Sequence, residues 1–365
     1  MGLKAGIVGL PNVGKSTLFN AITKKHILVA NYPFATIEPN VGIVTVPDIR
    51  MQKLEEIYVP EELKPATFEF VDIAGIVKGA SNGEGLGNKF LSHIREVDAI
   101  VEVVRCFDDK EITHVDGSVD PVRDVGVINL ELALADLEII NNRLDRIRTK
   151  ARTTKEKETQ IEFEALTKAK ESLEKDVPLR LTDFTDEELF AMKSFNFLTQ
   201  KPHIYLANIK EEEIGTKNEY VKKLEEYAKN ENAKVIVVSA KIESEIAELE
   251  DSDKELYLQE LGIEKSGLDK LIEESYSLLG LKTYFTCGPK EVKAWTYKMG
   301  MNAKECAGII HSDFEKGFIK AEVIAYDDLI SCGSELKVKE QGKFRIEGKE
   351  YLMQDGDICH FRFNL

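Results

Sequence analysis

Residues 9 to 17 read Gly9-Leu10-Pro11-Asn12-Val13-Gly14-Lys15-Ser16-Thr17, a complete G-x-x-x-x-G-K-[ST] run. That motif works only where a buried strand leads into it and a helix leads out. Ala5-Gly6-Ile7-Val8 has the pattern of such a strand, and Thr17-Leu18-Phe19-Asn20-Ala21-Ile22 that of the first helical turns. The glycines let successive backbone N–H groups turn inward around phosphate oxygens, and the helix N-terminus adds about half a positive charge there. Asn12, Val13, Gly14, Lys15, Ser16 and Thr17 are therefore candidate phosphate ligands. Lys15 would neutralise the β- and γ-phosphates, and the Ser16 hydroxyl would ligate Mg2+. The motif implies a nucleoside triphosphate, ATP or GTP.

The rest of the chain supports an α/β fold around that loop. Apolar, β-branched runs recur at Lys4–Val8, Phe68–Val71, Ala99–Val104, His203–Ala207 and Lys234–Val238, separated by helical or polar stretches. This alternation predicts a mostly parallel sheet with helices on its faces. One interruption is long. Leu130, Leu134, Leu137, Ile140, Leu144, Ile147 and Ala151 recur at three- and four-residue spacing, and Phe163, Leu166, Leu173 and Val177 continue a weaker version beyond the polar stretch Thr149–Thr159. The pattern predicts two helices paired as an antiparallel coiled-coil hairpin over residues 128–198, with a single long helix as the alternative. Residues 1–127 and 199–281 then make up one nucleotide-binding domain. In the acidic stretch Glu243–Glu260, Ile246, Leu249, Leu256 and Leu261 keep apolar positions among the acids, as on a solvated helix face. From residue 282 short runs such as Ile319–Val323 and His360–Phe363 are divided by glycine-containing turns, which predicts a small strand-rich domain over 282–365.

Two further segments fit a nucleotide switch. The proline-punctuated loop Asn31–Asn40 carries Thr36, a second hydroxyl for magnesium. The strand ending at Val71 delivers Asp72-Ile73-Ala74-Gly75, where Asp72 would hold a magnesium-bound water and the Gly75 backbone N–H would reach the γ-phosphate. Base recognition belongs after the next buried strands, at Asn208-Ile209-Lys210-Glu211 and Ser239-Ala240-Lys241. GTPases usually carry Asn-Lys-x-Asp at the first of these, the aspartate accepting two guanine N–H groups. Here Glu211 is one methylene longer and Ile209 replaces the lysine as an apolar wall beside the base. Losing a bidentate contact costs a large discrimination factor, so the sequence weakens the case for guanine.

Composition narrows the setting. No run of 18 apolar residues appears, and the N-terminus passes directly into the first strand, so the expectation is a cytoplasmic protein with no membrane partner. The five cysteines form no C-x-x-C pair, which argues against a zinc site and a disulfide framework. The net charge of −16 opposes nonspecific nucleic-acid binding. Residues 282–365 carry equal numbers of basic and acidic side chains, however, so the C-terminal part is the less repelled by RNA.

The phosphate loop, the Asn31–Asn40 segment, Asp72-Ile73-Ala74-Gly75-Ile76-Val77-Lys78-Gly79-Ala80 with Gly83-Glu84-Gly85-Leu86-Gly87-Asn88, and the Asn208–Glu211 variant together resemble the YchF, or Obg-like, ATPases. Phe314-Glu315-Lys316-Gly317-Phe318-Ile319-Lys320-Ala321 resembles that family's C-terminal TGS domain, a ubiquitin-like β-grasp module. The resemblance spans essentially the whole chain. It implies a P-loop NTPase domain of the Obg type interrupted by a helical hairpin, ATP preferred over GTP, and association with the ribosome or RNA. It places phosphates on Asn12–Thr17, magnesium on Ser16 and Thr36, and the base against Asn208 and Ile209. A monomer is expected.

Ras-like GTPases place a water-orienting glutamine after the Asp-x-x-Gly glycine, where this chain has Ile76. Isoleucine neither accepts a proton nor aligns a water. Asn12 is one substitute, because in related hydrophobic-substituted GTPases an asparagine in this loop ligates K+; the alternative is that it only stabilises its own turn. His114, in the polar segment after the strand Ala99–Val104, is the second, and His93 on the helix after the second switch a weaker third. A partner could also supply the group. The sequence thus favours an ATP-hydrolysing switch, with a GTPase of the same fold and a nucleotide-gated, non-catalytic scaffold as rivals.

Overall fold

The computed structural model describes residues 3–25, 40–73, 86–115, 117–153, 156–216 and 218–364. The chain forms two compact units, one of Met1–Gly42 and Glu69–Lys270, the other of Ile43–Phe68 and Leu271–Leu365.

β1 (Lys4–Gly9), β2 (Val41–Thr45), β4 (Thr67–Asp72), β5 (Ala99–Arg105), β6 (His203–Asn208) and β7 (Lys234–Val238) form a six-stranded sheet in the order β2-β4-β1-β5-β6-β7, all of it in the first unit except residues 43–45 of β2 and 67–68 of β4; β3 (Glu62–Lys64) belongs elsewhere. Neighbours from β4 through β7 pair in parallel. Every residue of β5 and β6 is buried, as central strands covered on both faces require. The register sets Gly9 beside Val103, Arg105 beside Asn208 and Asn208 beside Val238. The loops that follow β1, β5, β6 and β7 therefore leave from one edge, where ligands bind in open parallel sheets.

Around this sheet run α1 (Lys15–Lys25), α3 (Leu86–Arg95), α7 (Glu219–Asn230), α8 (Ala240–Ile246), α9 (Asp251–Glu260) and the start of α10 (Gly267–Leu278), with α2 (Ile49–Tyr58) in the other unit. Between β5 and β6 lie α4 (Pro121–Thr153), α5 (Lys157–Leu173) and α6 (Asp186–Met192). The last two turns of α4 and the start of α5 fall within the polar stretch around residue 153. The pair packs side by side through Ile140, Leu144, Ile147, Ala165, Leu166, Ala169 and Leu173, and Arg143 donates to both Glu162 carboxylate oxygens at 2.6 and 2.9 Å. Two details differ from the spacing. α4 begins at Pro121, and Leu130 and Leu134 are exposed while Val125, Ile128, Leu132 and Ala135 are buried. The first half of α4 thus turns a different stripe inward from the one continued by Ile140 and Leu144. Leu256 is also exposed, while Ile246 is buried.

The second unit holds a mixed sheet of β8 (Leu281–Cys287), β9 (Glu291–Lys298), β10 (Phe318–Ile324), β11 (Arg345–Glu347), β12 (Ile358–Phe363) and β3, in the order β11-β10-β12-β8-β9-β3. One face packs on α11 (Ala303–Ile310) and α12 (Ser312–Lys316) through Tyr284, Tyr297, Cys306, Val323 and Phe361; α13 (Tyr326–Cys332) and α14 (Glu335–Glu340) complete the unit. Residues 43–68, which the sequence groups with the nucleotide domain, cluster here instead. Pairing and charge explain it. β3 runs parallel to β9, Lys64 donates to Glu291 at 2.8 Å, the Tyr58 hydroxyl donates to Glu335 at 2.7 Å, and the Arg50 guanidinium lies 5.1 Å from the Phe285 ring centre while bonding Asp48 and Asp355.

Candidate nucleotide site

The phosphate loop turns through two residues of positive φ, Asn12 at 63° and Gly14 at 94°. A Cβ on Gly14 would stand 2.4 Å from the Asn208 amide nitrogen, so this position is closed to every side chain by conformation and by space. Leu18 N–H donates to the Gly14 carbonyl at 3.0 Å, so α1 starts directly from the loop. Its first turn holds no acid, which leaves the positive end of the helix uncompensated by side chains. Lys15 donates to the Asp72 carboxylate, which joins the loop cation to the acid at the end of β4.

Asn208, almost fully buried at the end of β6, uses both ends of its amide. Nδ2 donates to the Val13 carbonyl at 2.8 Å, and Oδ1 accepts from Ala240 N–H at 3.0 Å. It therefore ties the phosphate loop to the turn after β7. Ser239 in that turn is buried, and its Oγ has no hydrogen-bond partner among the described residues. Glu211 begins a short 3-10 turn, and its carboxylate lies 2.6 Å from the Lys241 ammonium, whose pKa that hydrogen bond raises. Ile209, expected as an apolar wall beside the base, is 4% exposed and packs among Val104, Cys106, Val221 and Leu224. As an apolar side chain leaving a buried strand it joins the core.

On the opposite side, Asn12 Nδ2 donates to the Thr113 carbonyl at 3.2 Å, which brings the segment after β5 onto the phosphate loop. The neighbouring His114 is buried, with Nε2 2.8 Å from Asp124 Oδ2 in the first turn of α4; Asp124 Oδ1 also accepts from Arg123 at 3.0 Å. His93 is exposed on α3. Thr36, Gly75 and Ile76 lie outside the described residues.

Two residues of this site carry no recognisable motif. Arg105, at the buried end of β5, donates to the carbonyls of Phe107, Ile112 and Asp109 at 3.1, 3.0 and 3.2 Å, and its guanidinium lies 4.7 Å from the Phe107 ring centre. It folds the segment that presents Thr113 and His114. The signal was an arginine ending an apolar strand: a buried guanidinium must find acceptors, and here it takes the carbonyls of the segment that follows. Asp124 is the other, and it meets His114 ten residues earlier in the chain.

The magnesium donors fit the motif's chemistry. Ser16 is exposed at the head of α1, and the adjacent Lys15 touches Asp72, so the loop offers a hydroxyl and β4 a carboxylate, both oxygen donors of the kind magnesium takes. No group of three or more His, Cys, Asp and Glu side chains is placed to hold a metal among the described residues.

Comparison with known proteins gives this geometry a family. The YchF-GTPase_C model, described as "Protein of unknown function (DUF933)", matches residues 281–364, and MMR_HSR1, "50S ribosome-binding GTPase", matches residues 4–133. A Bacillus subtilis (strain 168) protein named "Ribosome-binding ATPase YchF" is 61% identical over 367 residues, spanning 100% of both chains. The chain belongs to the YchF family. An Escherichia coli O157:H7 YchF of the same name is 50% identical over 365 residues, again along the whole of both chains. The solved Schizosaccharomyces pombe YchF GTPase superposes with a TM-score of 0.91 at 42% identity, covering 99% of this chain and 98% of that one. The YchF match establishes a P-loop GTPase fold. No helix among the described residues is long and apolar enough to cross a membrane.

Proposed function

We propose that this YchF chain is a cytoplasmic, ATP-hydrolysing molecular switch that binds the ribosome according to its nucleotide state. The observation that carries the reading is the convergence of the phosphate loop, Asp72 and the Asn208–Glu211 variant at one sheet edge, in a chain 61% identical to a relative named as a ribosome-binding ATPase. In this reading α4 and α5 are the inserted coiled-coil hairpin, residues 282–365 form the TGS β-grasp module, and these two offer the surfaces for ribosome or RNA.

Lys15 exchanges its bond to Asp72 for the β- and γ-phosphate oxygens, which frees the carboxylate for the magnesium shell. Ser16 and Thr36 would hold Mg2+, which would supply charge neutralisation to the triphosphate. Gly75 donates its N–H to the γ-phosphate and so senses hydrolysis. Asn208 holds the phosphate loop and the Ser239–Ala240 turn in fixed relation, so base and phosphates are read by one rigid frame. Glu211, engaged by Lys241, does not present the planar carboxylate that guanine requires, which supports ATP. His114 positions the attacking water, and Asp124 fixes the imidazole. Asn12, its Nδ2 committed to Thr113, keeps Oδ1 as a ligand for K+.

Titration of the purified chain with ATP and GTP, followed by ribosome cosedimentation in ATP and in ADP, tests the proposal. ATP should bind at least as tightly as GTP, and pelleting should change with nucleotide. A tenfold preference for GTP would return the chain to the GTPase reading, and nucleotide-independent pelleting would remove the switch.

A further inference from the structure

Within the C-terminal unit, β10 and β12 floor a cavity of about 510 Å³ walled by the end of α2 on one side and by α14 on the other. That volume suits a small organic molecule. It has no part in the nucleotide reading. Its apolar share comes from Ile57, Ile324, Ile358 and Phe344.

The charged lining is asymmetric. Both acids are already satisfied. Glu322 accepts two hydrogen bonds from Arg362, at 3.1 and 3.0 Å, with Lys320 at 3.4 Å, and the Arg362 bonds hold its carboxyl below the usual range. Glu335 accepts from the Tyr58 hydroxyl at 2.7 Å. The cationic side is not matched in this way. Lys339 stands 4.9 Å from the Phe344 ring centre and has no acidic partner among the described residues, and exposed His360, opposite Glu322 in the β10–β12 register, has no hydrogen-bond partner among them. A ligand carrying a cation would meet carboxylates already engaged, Glu322 by Arg362 and Glu335 by the Tyr58 hydroxyl, whereas an anion would find the Lys339 ammonium and the His360 imidazole open to it. An aromatic face at Phe344 and an aliphatic floor lie beside them.

We propose that this cavity is a binding site for a small amphiphilic anion, a molecule with an apolar, ring-sized body against Ile57, Ile324, Ile358 and Phe344 and a carboxylate or phosphate head toward Lys339 and His360. Each half of the site has its own role: the apolar lining supplies binding energy in proportion to the area covered, and the Lys339 ammonium with the His360 imidazole selects the head group.

The cavity contains its own reporter. Cys287 lines it and is half-buried, whereas Cys106, Cys306, Cys332 and Cys359 are buried. Burial pushes the Cys287 thiol up, so alkylation by N-ethylmaleimide at mildly alkaline pH is slow enough to follow by mass spectrometry.

The full-length chain is alkylated with and without 2-naphthoate, 2-naphthyl phosphate, inorganic phosphate and 2-naphthylmethylamine, and the binding of each is measured by calorimetry. At least one naphthyl anion should bind with a Kd below about 1 mM and slow Cys287 alkylation at least about threefold. The better of the two anions identifies the head group. Lys339→Glu and Lys339→Gln, both on an exposed helix face, should weaken that anion about tenfold or more, while Lys339→Arg should retain it. Equal protection by the naphthyl cation or by inorganic phosphate would overturn the proposal, as would failure of both anions to protect, or parental affinity in Lys339→Glu and Lys339→Gln.

Discussion

Gly14 shows how narrowly a single position of the phosphate loop is set. Gly14→Ala would force a side chain into a left-handed conformation and against the Asn208 amide, so the loop should lose its tie to β6. A loss of about 1–3 kcal/mol in chemical denaturation, together with severely weakened triphosphate binding, is expected. For His114, the Asp124 contact gives a sharper test than alanine alone. His114→Ala should lower single-turnover hydrolysis about 10²-fold or more at parental ATP affinity, and Asp124→Asn should lower it in the same direction by disturbing the imidazole's orientation. Parental rates in both variants would exclude the histidine from the chemistry. Base choice is best probed by Glu211→Asp alone, read as a shift toward GTP, because a lysine at buried Ile209 would cost stability by placing an ammonium in the core. The phosphate loop was legible because its residues are contiguous and its chemistry follows from their order. The two bonds of Asn208 were not, since they join segments that only the sheet brings together, and the folding of residues 107–112 around Arg105 is local but carries no motif.

Adjacent strands and helices raise separate questions of charge. On β5 and β6, Glu102 and His203 meet in the core at 3.2 Å, both fully buried. Burial raises Glu102 well above its ordinary 4.5 and lowers His203 well below 6.5, so both are held neutral. For His203 the unfolded chain takes up a proton below pH 6.5 that the folded chain refuses, so its contribution is whole above 6.5 and is lost on acidification. Glu102 has the opposite sign. Above pH 4.5 the unfolded chain releases a proton that the fold retains, so stability declines as the pH rises toward the folded value. Glu102→Gln should therefore gain on the parent between pH 5 and pH 8 in urea midpoints; a pH-independent difference would refute the assignment. Nearby, Arg180, which follows α5, pairs with Glu231 at the end of α7, and the Tyr227 hydroxyl also donates to Glu231, at 2.6 Å. Glu231→Ala leaves a nearly buried guanidinium unpaired and should cost about 3–5 kcal/mol. The helical pair was readable from three- and four-residue spacing, but its phase near Leu130 was not. Periodicity identifies a stripe without identifying which neighbour covers it, and Ile128 and Leu132 won the buried positions.

At the scale of the whole chain, the placement of residues 43–68 matters most. Sequence order alone could not show it, because β3 is three residues long and its parallel partner β9 comes after the entire nucleotide domain. A fragment of residues 271–365 lacks α2 and β3, which leaves β9 with a bare edge and the Phe285 ring without Arg50, so it should fail to melt cooperatively, while adding 43–68 through a linker should restore the transition. A fragment that melts like the parent unit without 43–68 would show that segment to be dispensable. The same pairing also sets a timetable for synthesis. Glu62 pairs with Glu291, about 230 residues later, so at about 5–20 residues per second β3 waits between roughly ten seconds and most of a minute before β9 is made. During that interval the nascent protein carries an early segment whose hydrogen bonds and apolar face have no native partner. Its yield in the cell should then depend on translation speed and on chaperones that shelter residues 43–68, more than on the stability of the finished fold.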